Sequence, residues 1–520
     1  MEQRDDHRRL TERRALVGDE ARPEAVVRRH ERGGRTAREN IADLVDAGSF
    51  VEYGGLAIAA QRGRRRVEEL EARTPADGIV CGTARINGER FPGDAAEAAV
   101  LAYDATVLAG TQGAVGHRKK DRLFELIERM RLPTVFFAEG GGGRPGDTDY
   151  AVVSALDTRA FALWARLSGV VPRIAVVHGR CFAGNAVIAG CSDLIIATEG
   201  SSLGMGGPAM IAGGGMGTVE ADDVGPLEVQ ARNGVVDVVA SDEAEATRLA
   251  RELLGLFQGR SSDWTAPDQE PLRDAVPERR RRAYHVRPII DTLADAGSVT
   301  YLRERFAPEL VTALGRIEGR PVGIIANETM HAAGAITADG AGKAARLLQL
   351  CDAFGLPVLS LVDTPGMMVG PAAEQTGLVR HCSRLLVAGA ALRVPLVAVI
   401  LRRGYGLGAQ AMVGGSLHEP LLTLAWPGAE LGPMGLEGAV RLGMRAELEA
   451  IGDEQQRERR VRELTELAEE NARATNAASI FELDDVIDPA ETRGRIARTL
   501  AAAGDTRRGE HGRGRFVDTW

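Results

Sequence analysis

The sequence is poor in lysine and in aromatic residues. Of its 64 basic residues only Lys119, Lys120 and Lys343 are lysines, and aromatic residues make up 4% of the chain. No Gly-Lys-Ser/Thr loop is present, which excludes a Walker-type ATPase. No lysine lies between two methionines, the setting in which proteins carry a swinging-arm cofactor. With so few aromatic residues, we expect a core of Ala, Val, Leu and Ile.

The cysteines are few and widely spaced. None of the five forms a CxxC pair, and the nine histidines contain no HExxH motif, so the sequence predicts no metal site. Wide spacing is typical of buried free thiols in a reducing cytoplasm. These cysteines are Cys81, Cys181, Cys191, Cys351 and Cys382.

Long apolar runs are also missing, and the net charge is negative. No run approaches the roughly 18 apolar residues of a membrane span, and the charged start MEQRDDHRRLTERR lacks the apolar centre of a signal peptide. A net charge of −9 argues against nucleic acid and anionic membranes as partners. We therefore expect a soluble, cytoplasmic protein.

What the sequence does contain is an internal repeat. A chain of 520 residues is too long for one compact core, and four blocks of the first half recur in the same order in the second. The matched pairs are 46–50 with 295–299, 131–142 with 355–366, 171–185 with 394–408, and 194–207 with 421–435. Four matched blocks in one order indicate a duplicated domain.

Each copy alternates strand-length apolar runs with helical patterns. The runs lie at 134–139, 173–179, 193–198, 357–363, 395–401 and 421–426, and the helical patterns include 157–170 and 377–392. This alternation indicates an α/β fold with parallel strands covered by helices. We predict a charged lead-in at 1–24, a first domain at 25–258, a linker at 259–288, a second domain at 289–502 and a mobile tail at 503–520.

In both copies a strand ends in a turn of small residues that opens a helix. The turns are CFAGN at 181–185 and GYGLG at 404–408. The first N–H groups of a helix have no intrahelical partner, and small residues let a ligand approach them, so each turn suits a phosphate or an oxyanion. The alternative, that the glycines only pack helix against strand, stays open. Repetition at equivalent positions suggests two carbonyl groups to polarise.

Side chains suited to acid–base catalysis are few. No GxSxG elbow is present, and the acids Glu139 and Asp363 at matching strand ends are interpreted first as capping or turn carboxylates. Oxyanion donors without an evident base imply that the substrate or a cofactor brings its own base.

The matched blocks resemble the carboxyltransferase (β) subunits of biotin-dependent acyl-CoA carboxylases, the propionyl-, methylcrotonyl- and acetyl-CoA carboxylase family. ARENIADLVDAGSFVEYGGL and GRCFAGNAVIAGCSDLIIAT resemble its first domain. GKAARLLQLCDAFGLPVLSLVDTPG and AWPGAELGPMGLEGAV resemble its second domain. The resemblance covers about 30–500 and is most specific over 319–440.

The resemblance implies two crotonase-like domains, each a ββα superhelix, in a biotin-dependent ligase or transferase that acts on acyl-CoA. Acyl-CoA would lie mostly on the first domain. Biotin, carried by a biotin carboxylase or carrier subunit, would lie mostly on the second domain of a neighbouring copy in a dimer or hexamer. Carried over residue by residue, the oxyanion holes are the amides of Ala183 and Gly184 and those of Leu407 and Gly408, beside Gly406 and the acyl-size position Gln410.

The basic cluster GHRKKDR at 116–122 is the candidate site for the CoA phosphates, through Arg118, Lys119 and Lys120, with a solvated basic helix start as the alternative. Departures from the family pattern bear on the acyl group. Gln410 stands where the family often has an acid, and the segment 213–230 is longer than usual.

Two further interpretations of the function stay open. One is a crotonase-fold hydratase, hydrolase or decarboxylase that acts on acyl-CoA without biotin, which a requirement for Glu139 would favour. The other is a non-catalytic scaffold subunit of a carboxylase, which would not bind CoA.

Overall fold

The computed structural model describes residues 4–151, 154, 156–504 and 516–520. Its contacts divide the described residues into two compact units: unit 1 contains those up to Gly259 together with 516–519, and unit 2 those from Arg260 to Gly504 together with Trp520. In the described part of the chain, no helix is both long enough and apolar enough to cross a membrane.

Unit 1 contains eight strands and ten α-helices among its described residues. The strands are β1 (Val51–Glu52), β2 (Ile79–Arg85), β3 (Glu97–Tyr103), β4 (Thr134–Gly140), β5 (Arg173–Phe182), β6 (Leu194–Thr198), β7 (Ser202–Gly204) and β8 (Val238–Ala240). The helices are α1 (Asp5–Ala15), α2 (Pro23–His30), α3 (Ala37–Leu44), α4 (Val67–Arg73), α5 (Ala114–Met130), α6 (Ala160–Arg166), α7 (Gly184–Gly190), α8 (Pro208–Gly213), α9 (Leu227–Arg232) and α10 (Glu243–Gln258).

Unit 2 again contains eight strands and ten α-helices among its described residues. The strands are β9 (Thr300–Leu302), β10 (Leu310–Ile317), β11 (Arg320–Asn327), β12 (Val358–Thr364), β13 (Leu396–Tyr405), β14 (Leu422–Ala425), β15 (Glu430–Gly432) and β16 (Asp485–Val486). The helices are α11 (Arg287–Leu293), α12 (Ala338–Phe354), α13 (Pro371–Glu374), α14 (Leu378–Ala390), α15 (Gly406–Met412), α16 (Leu436–Gly443), α17 (Arg445–Glu449), α18 (Glu454–Asn471), α19 (Ala474–Ser479) and α20 (Thr492–Ala503).

The two sheets have the same topology, which confirms the predicted duplication and the α/β fold class. Unit 1 has the order β1-β2-β3-β4-β5-β6-β8 with β7 on β5, and unit 2 has β9-β10-β11-β12-β13-β14-β16 with β15 on β13. The first three strands of each sheet pair antiparallel, and the later ones pair parallel. The carboxyl ends of the parallel strands therefore lie at one edge of each sheet, where α/β folds bind ligands.

The central strands are buried on both faces, as their continuous apolar runs predict. Every residue of β4 and of β12 is buried. The expectation of an aliphatic core holds for unit 2 better than for unit 1. In unit 1 the rings of Tyr103, Phe124, Phe136 and Trp164 pack together, with centroids 4.8–6.1 Å apart.

The segment predicted as a linker, 259–288, packs within unit 2 from Arg260 onward. Leu272 and Tyr284 are buried in its core, whereas Trp264 of the same segment is exposed. The helix α2 also crosses the predicted boundary between 24 and 25. Of the predicted tail, 505–515 lie outside the described residues, and Val517 exchanges hydrogen bonds with Ser168 of unit 1. The remaining domain bounds stay predictions.

Candidate functional site

The first glycine turn lies where β5 ends and α7 begins. Ala183 joins them with φ 53° and ψ −126°, a conformation that residues with a side chain rarely adopt. Its N–H donates to the carbonyl of Gly204 at 3.1 Å, which extends the pairing of β5 with β7. The amide of Ala183 is therefore bonded within the protein, and the prediction that it forms an oxyanion hole is wrong.

The next two amides of this turn are available. Gly184 is partly exposed, and neither its N–H nor that of Asn185 has an acceptor among the described residues. Both are the first donors of α7, which have no intrahelical partner. The donor pair in unit 1 is thus Gly184 and Asn185.

The second glycine turn lies between β13 and α15. Gly406 has φ 56°, and the amides of Leu407 and Gly408 have no acceptor among the described residues. The side chain of Leu407 is 63% exposed. Gly408 is buried, and a Cβ built there would lie 2.6 Å from the carbonyl carbon of Gly366. Only glycine fits this approach, and the two predicted donors of this turn are available.

The strand registers show which residues of the two turns correspond. Gly140 of β4 is opposite Cys181, and Thr364 of β12 is opposite Gly404. Counting on from these pairs, Ala183 corresponds to Gly406, Gly184 to Leu407, and Asn185 to Gly408. The two donor pairs are equivalent once the assignment in unit 1 is moved forward by one residue.

A cavity of about 500 Å³ opens beside the first turn, at the carboxyl ends of β4 and β5. Phe182, Gly140 and Gly141 form its floor, and four arginines line it: Arg28, Arg29, Arg32 and Arg180. Arg29 is paired with buried Glu139, and Arg180 with Asp222 at the surface. Arg28 lies 3.6 Å from Glu24, and Arg32 has no ion pair among the described residues, so the lining of the cavity carries unbalanced positive charge.

The predicted phosphate site at 116–122 is only partly compatible with the structure. Lys119 and Lys120 are buried and face inward, because they lie on the same side of α5 as Leu123 and Phe124. Lys119 Nζ donates to the carbonyls of Ala76 and Ile79, and Lys120 Nζ to Gln112 and Tyr103. The prediction that these two lysines bind CoA phosphates is therefore wrong. Arg118 is exposed and stacks on the Tyr150 ring at 4.4 Å.

The two matched acids are both held in ion pairs. Glu139 lies 2.7 Å from Arg29 Nη1, and Asp363 lies 2.9 Å from Arg402 and 2.7 Å from Arg403. Neither carboxylate is placed as an unpaired base, in keeping with their interpretation as structural groups.

Glu139 belongs to a buried charged cluster behind the cavity. His178 Nδ1 lies 3.2 Å from Glu243 Oε2, and Arg29 bridges Glu139 and Glu243. Burial favours the neutral form of each group, yet the hydrogen bonds from His178 and Asn40 lower the pKa of Glu243 to about 2. Burial likewise opposes protonation of His178, but the two carboxylates raise its pKa. This cluster holds α2 and α10 against the end of the sheet.

Sequence reasoning missed the arginines of α2 and the side-chain partners of Asn185. The run VVRRHERGGR (26–35) was placed in the first domain without any role, although its arginines recur at 28, 29 and 32 on a short helix and its end. Nothing in the sequence marks Gln112 as a partner of Asn185, because the two residues lie 73 positions apart in the chain.

Comparison with known proteins gives one family. The family of carboxyl transferase domains matches residues 28–515. A propionyl-CoA carboxylase beta chain of Saccharopolyspora erythraea is 32% identical over 93% of this chain and 90% of its own length.

Two solved structures are similar along nearly all of this chain. A single-chain, multi-domain long-chain acyl-CoA carboxylase is 54% identical, with a TM-score of 0.91 over 96% of this chain, which spans 49% of that larger chain. The transcarboxylase 12S hexamer, crystallised with methylmalonyl-CoA, is 29% identical, with a TM-score of 0.85 over 100% of this chain and 99% of its own.

Proposed function

This chain belongs to the family of carboxyl transferase domains, and from that membership we propose that it transfers a carboxyl group from carboxybiotin to the α-carbon of an acyl-CoA. It is the carboxyltransferase component of a biotin-dependent acyl-CoA carboxylase, built from two crotonase-like domains. The observation that carries the proposal is the pair of equivalent turns, each with two main-chain amides that have no acceptor in the described part of the chain.

The second turn fits the ureido carbonyl of biotin. Leu407 and Gly408 offer two adjacent N–H donors, and the absence of a Cβ at position 408 lets the turn lie directly on Gly366. Carboxybiotin, when bound, supplies the carboxyl group and a ureido nitrogen that serves as the base. The turn of this chain holds one polarised oxygen in place, and neither Glu139 nor Asp363 takes part in proton transfer.

The first turn then holds the thioester oxygen of the acyl-CoA. We infer that the amides of Gly184 and Asn185 donate to this oxygen, where negative charge grows as the α-proton leaves. Donors that are fixed before the reaction stabilise the enolate without reorganisation, and each such donor is worth about 10²–10³ in kcat.

The arginines of the cavity beside this turn provide a site for the CoA phosphates. Arg28 and Arg32 lie at its mouth and Arg180 at the end of β5, within the same unit as the first turn. Guanidinium groups bind phosphate in a bidentate manner. These arginines replace Lys119 and Lys120 in the proposal, while exposed Arg118 stays a second candidate.

We assign a long acyl chain to the substrate. The support is the 54% identity to a protein named as a long-chain acyl-CoA carboxylase, against 32% to a propionyl-CoA carboxylase chain. Gln410, exposed on α15 two residues after the second donor pair, is the proposed position that senses the size of the acyl group.

We further propose a partner and an assembly. All three lysines are buried, which supports a biotinyl-lysine supplied by a biotin carboxylase or carrier partner. The named hexamer of transcarboxylase 12S supports a hexamer in which biotin meets the second turn of a neighbouring copy. The five free cysteines support a cytoplasmic location.

The proposal is tested by carboxyl exchange. The purified chain, a biotinylated carrier and ¹⁴C-carboxylated acyl-CoA thioesters of two, three and sixteen carbons are mixed, and label on the carrier is measured. We expect carrier-dependent transfer, fastest with the longest chain. Absence of transfer from all three would refute the function, and transfer only from the short chains would refute the substrate class.

A further inference from the structure

The three lysines of the chain are all buried, at 9%, 0% and 3% exposure for Lys119, Lys120 and Lys343. Two of them are equivalent in the duplication. The helices α5 and α12 both have 17 residues, and Lys119 and Lys343 are the sixth residue of each. Each donates to two backbone carbonyls of a nearby turn. This pair belongs to the shared fold.

Lys120 has no counterpart in unit 2, where Ala344 takes its place. It donates to Tyr103 Oη at 2.9 Å and to Gln112 Oε1. Gln112 in turn corresponds to Ile336. Each of these residues lies two positions before its helix begins, and each donates its N–H to the carbonyl of a glycine. Among the described residues no carboxylate is paired with Lys120, so burial of this ammonium needs a reason beyond folding.

The contacts of Lys120 lead to the first oxyanion turn. Gln112 Nε2 donates to Asn185 Oδ1, and Asn185 Nδ2 donates to the carbonyls of Gly110 at 3.1 Å and Glu139 at 2.6 Å. Asn185 is fully buried and supplies one of the two free amides of that turn. Its side chain thereby ties the start of α7 to the loop after β3 and to the end of β4.

An ammonium fixes the direction of every hydrogen bond in this series. It is a donor only, so Gln112 must present its oxygen to Lys120 and its NH₂ to Asn185. Asn185 must then present its oxygen to Gln112 and its NH₂ to the two carbonyls. Without the ammonium, the two carbonyls still set the orientation of the Asn185 amide, but Gln112 Oε1 loses its charged donor and Gln112 is held less firmly against Asn185.

We propose that Lys120 is a positioning residue for carboxyl transfer: through Gln112 it holds Asn185 in place and so fixes the amides of Gly184 and Asn185 toward the thioester oxygen. This inference rests on the proposed function of the first turn. It assigns a role to the one lysine that the duplication does not explain.

The protonation of Lys120 supports the proposal. Burial lowers its pKa to about 7, although Asp121 and Asp77 act in the opposite direction. The titratable and charged groups around the ammonium are His117, Asp121, Asp77, Arg144, Tyr103 and Cys181. A neutral amine is a weaker donor than an ammonium, so the hold on Gln112 weakens as pH rises through about 7.

The test compares Lys120→Met with Lys343→Met in the full chain with its carrier. Both remove a buried ammonium, so both are expected to lower the Tm. Only Lys120→Met is expected to lower kcat, by about 10- to 100-fold, with KM for acyl-CoA within threefold. The kcat of the native chain is expected to decline above pH 7. This decline should be absent in Lys120→Met and present in Lys343→Met. Equal kcat values for the two variants would overturn the proposal.

A second measurement does not depend on activity. Hydrogen–deuterium exchange of the peptide 183–190 should be faster in Lys120→Met than in the native chain and unchanged in Lys343→Met. Should Lys120→Met fail to fold, the triple variant Lys120→Ala, Gln112→Ile and Asn185→Gly reproduces the residues of unit 2 and serves in its place. Unchanged exchange overturns the proposal, and lack of transfer in the native chain refutes the proposed function instead.

Discussion

The close approach of Gly408 to Gly366 gives a sharp test of the second oxyanion turn. In Gly408→Ala the new Cβ would lie 2.6 Å from the carbonyl carbon and 2.7 Å from the Cα of Gly366. Carbon atoms in contact normally lie about 3.5–4.0 Å apart, so one backbone segment must move by roughly 1 Å. Both segments border the proposed biotin carbonyl site, and neither has a flexible side chain that would give way.

Two magnitudes follow. Overpacking of this kind costs about 1–3 kcal/mol of folding free energy, which lowers the Tm of a domain this size by about 2–4 °C for each kcal/mol. A misplacement of about 1 Å at a reacting centre costs roughly 10²-fold in rate. Because acyl-CoA is assigned to the first turn, its KM should stay within about threefold while kcat falls.

The assay is carboxyl exchange between biotinylated carrier and acyl-CoA, together with a thermal melt. The matched control is Gly443→Ala on α16, where a Cβ meets nothing within 4 Å, and which should gain about 0.5–1 kcal/mol of stability with unchanged kcat. If Gly408→Ala kept kcat within threefold and the native Tm, the turn would not be the rigid donor site inferred here.

Three further outcomes are expected. An amine-reactive ester should label none of the three lysines of the folded chain and all three after denaturation, as read by peptide mass spectrometry; a labelled native lysine would contradict their burial. Arg32→Ala should raise KM for acyl-CoA about fivefold at low salt and less at high salt, with kcat unchanged, whereas exposed Arg129→Ala should leave KM unaltered. The Glu243 carboxylate, with its pKa lowered to about 2, contributes about 3 kcal/mol above pH 4.5 that is lost as pH falls toward 2. Urea unfolding of Glu243→Gln should therefore show lower stability at pH 7 and a flatter acid limb, and a native-like acid limb would refute the assignment.

Most of the fold could be predicted because the signals were local. Buried parallel strands are continuous apolar runs, and the duplicated blocks indicated that the second unit repeats the fold of the first. The packing of 259–288 in unit 2 was not readable in this way. Leu272 and Tyr284 are isolated apolar residues in a charged segment, and only tertiary contacts reveal that they fill a core.

The site was predictable where backbone geometry depends on small residues, and not where it depends on distant partners. Gly406 and Gly408 mark the second turn directly. The Ala183 amide donates a hydrogen bond to Gly204, a residue of a separate strand. The turn sequence does not show this contact, so the predicted donor pair was placed one residue before the observed one. For the lysines a signal existed: Lys119 and Lys120 precede Leu123 and Phe124 by three and four residues, which places them on the apolar face of α5.

The two turns present equivalent amides, but the residues that hold these amides in place differ between the two units. At Gly408 the absence of a side chain lets the backbone lie against Gly366, and an asparagine there would clash. At the equivalent Asn185 the side chain instead fills the space and pairs with two carbonyls. Asn185→Gly alone would therefore leave both carbonyls and the NH₂ of Gln112 unpaired, which costs about 1–3 kcal/mol of folding free energy for each buried group. A buried polar side chain requires a complete set of partners, whereas a glycine requires none. This difference explains why Lys120 is buried behind the first turn and has no counterpart behind the second.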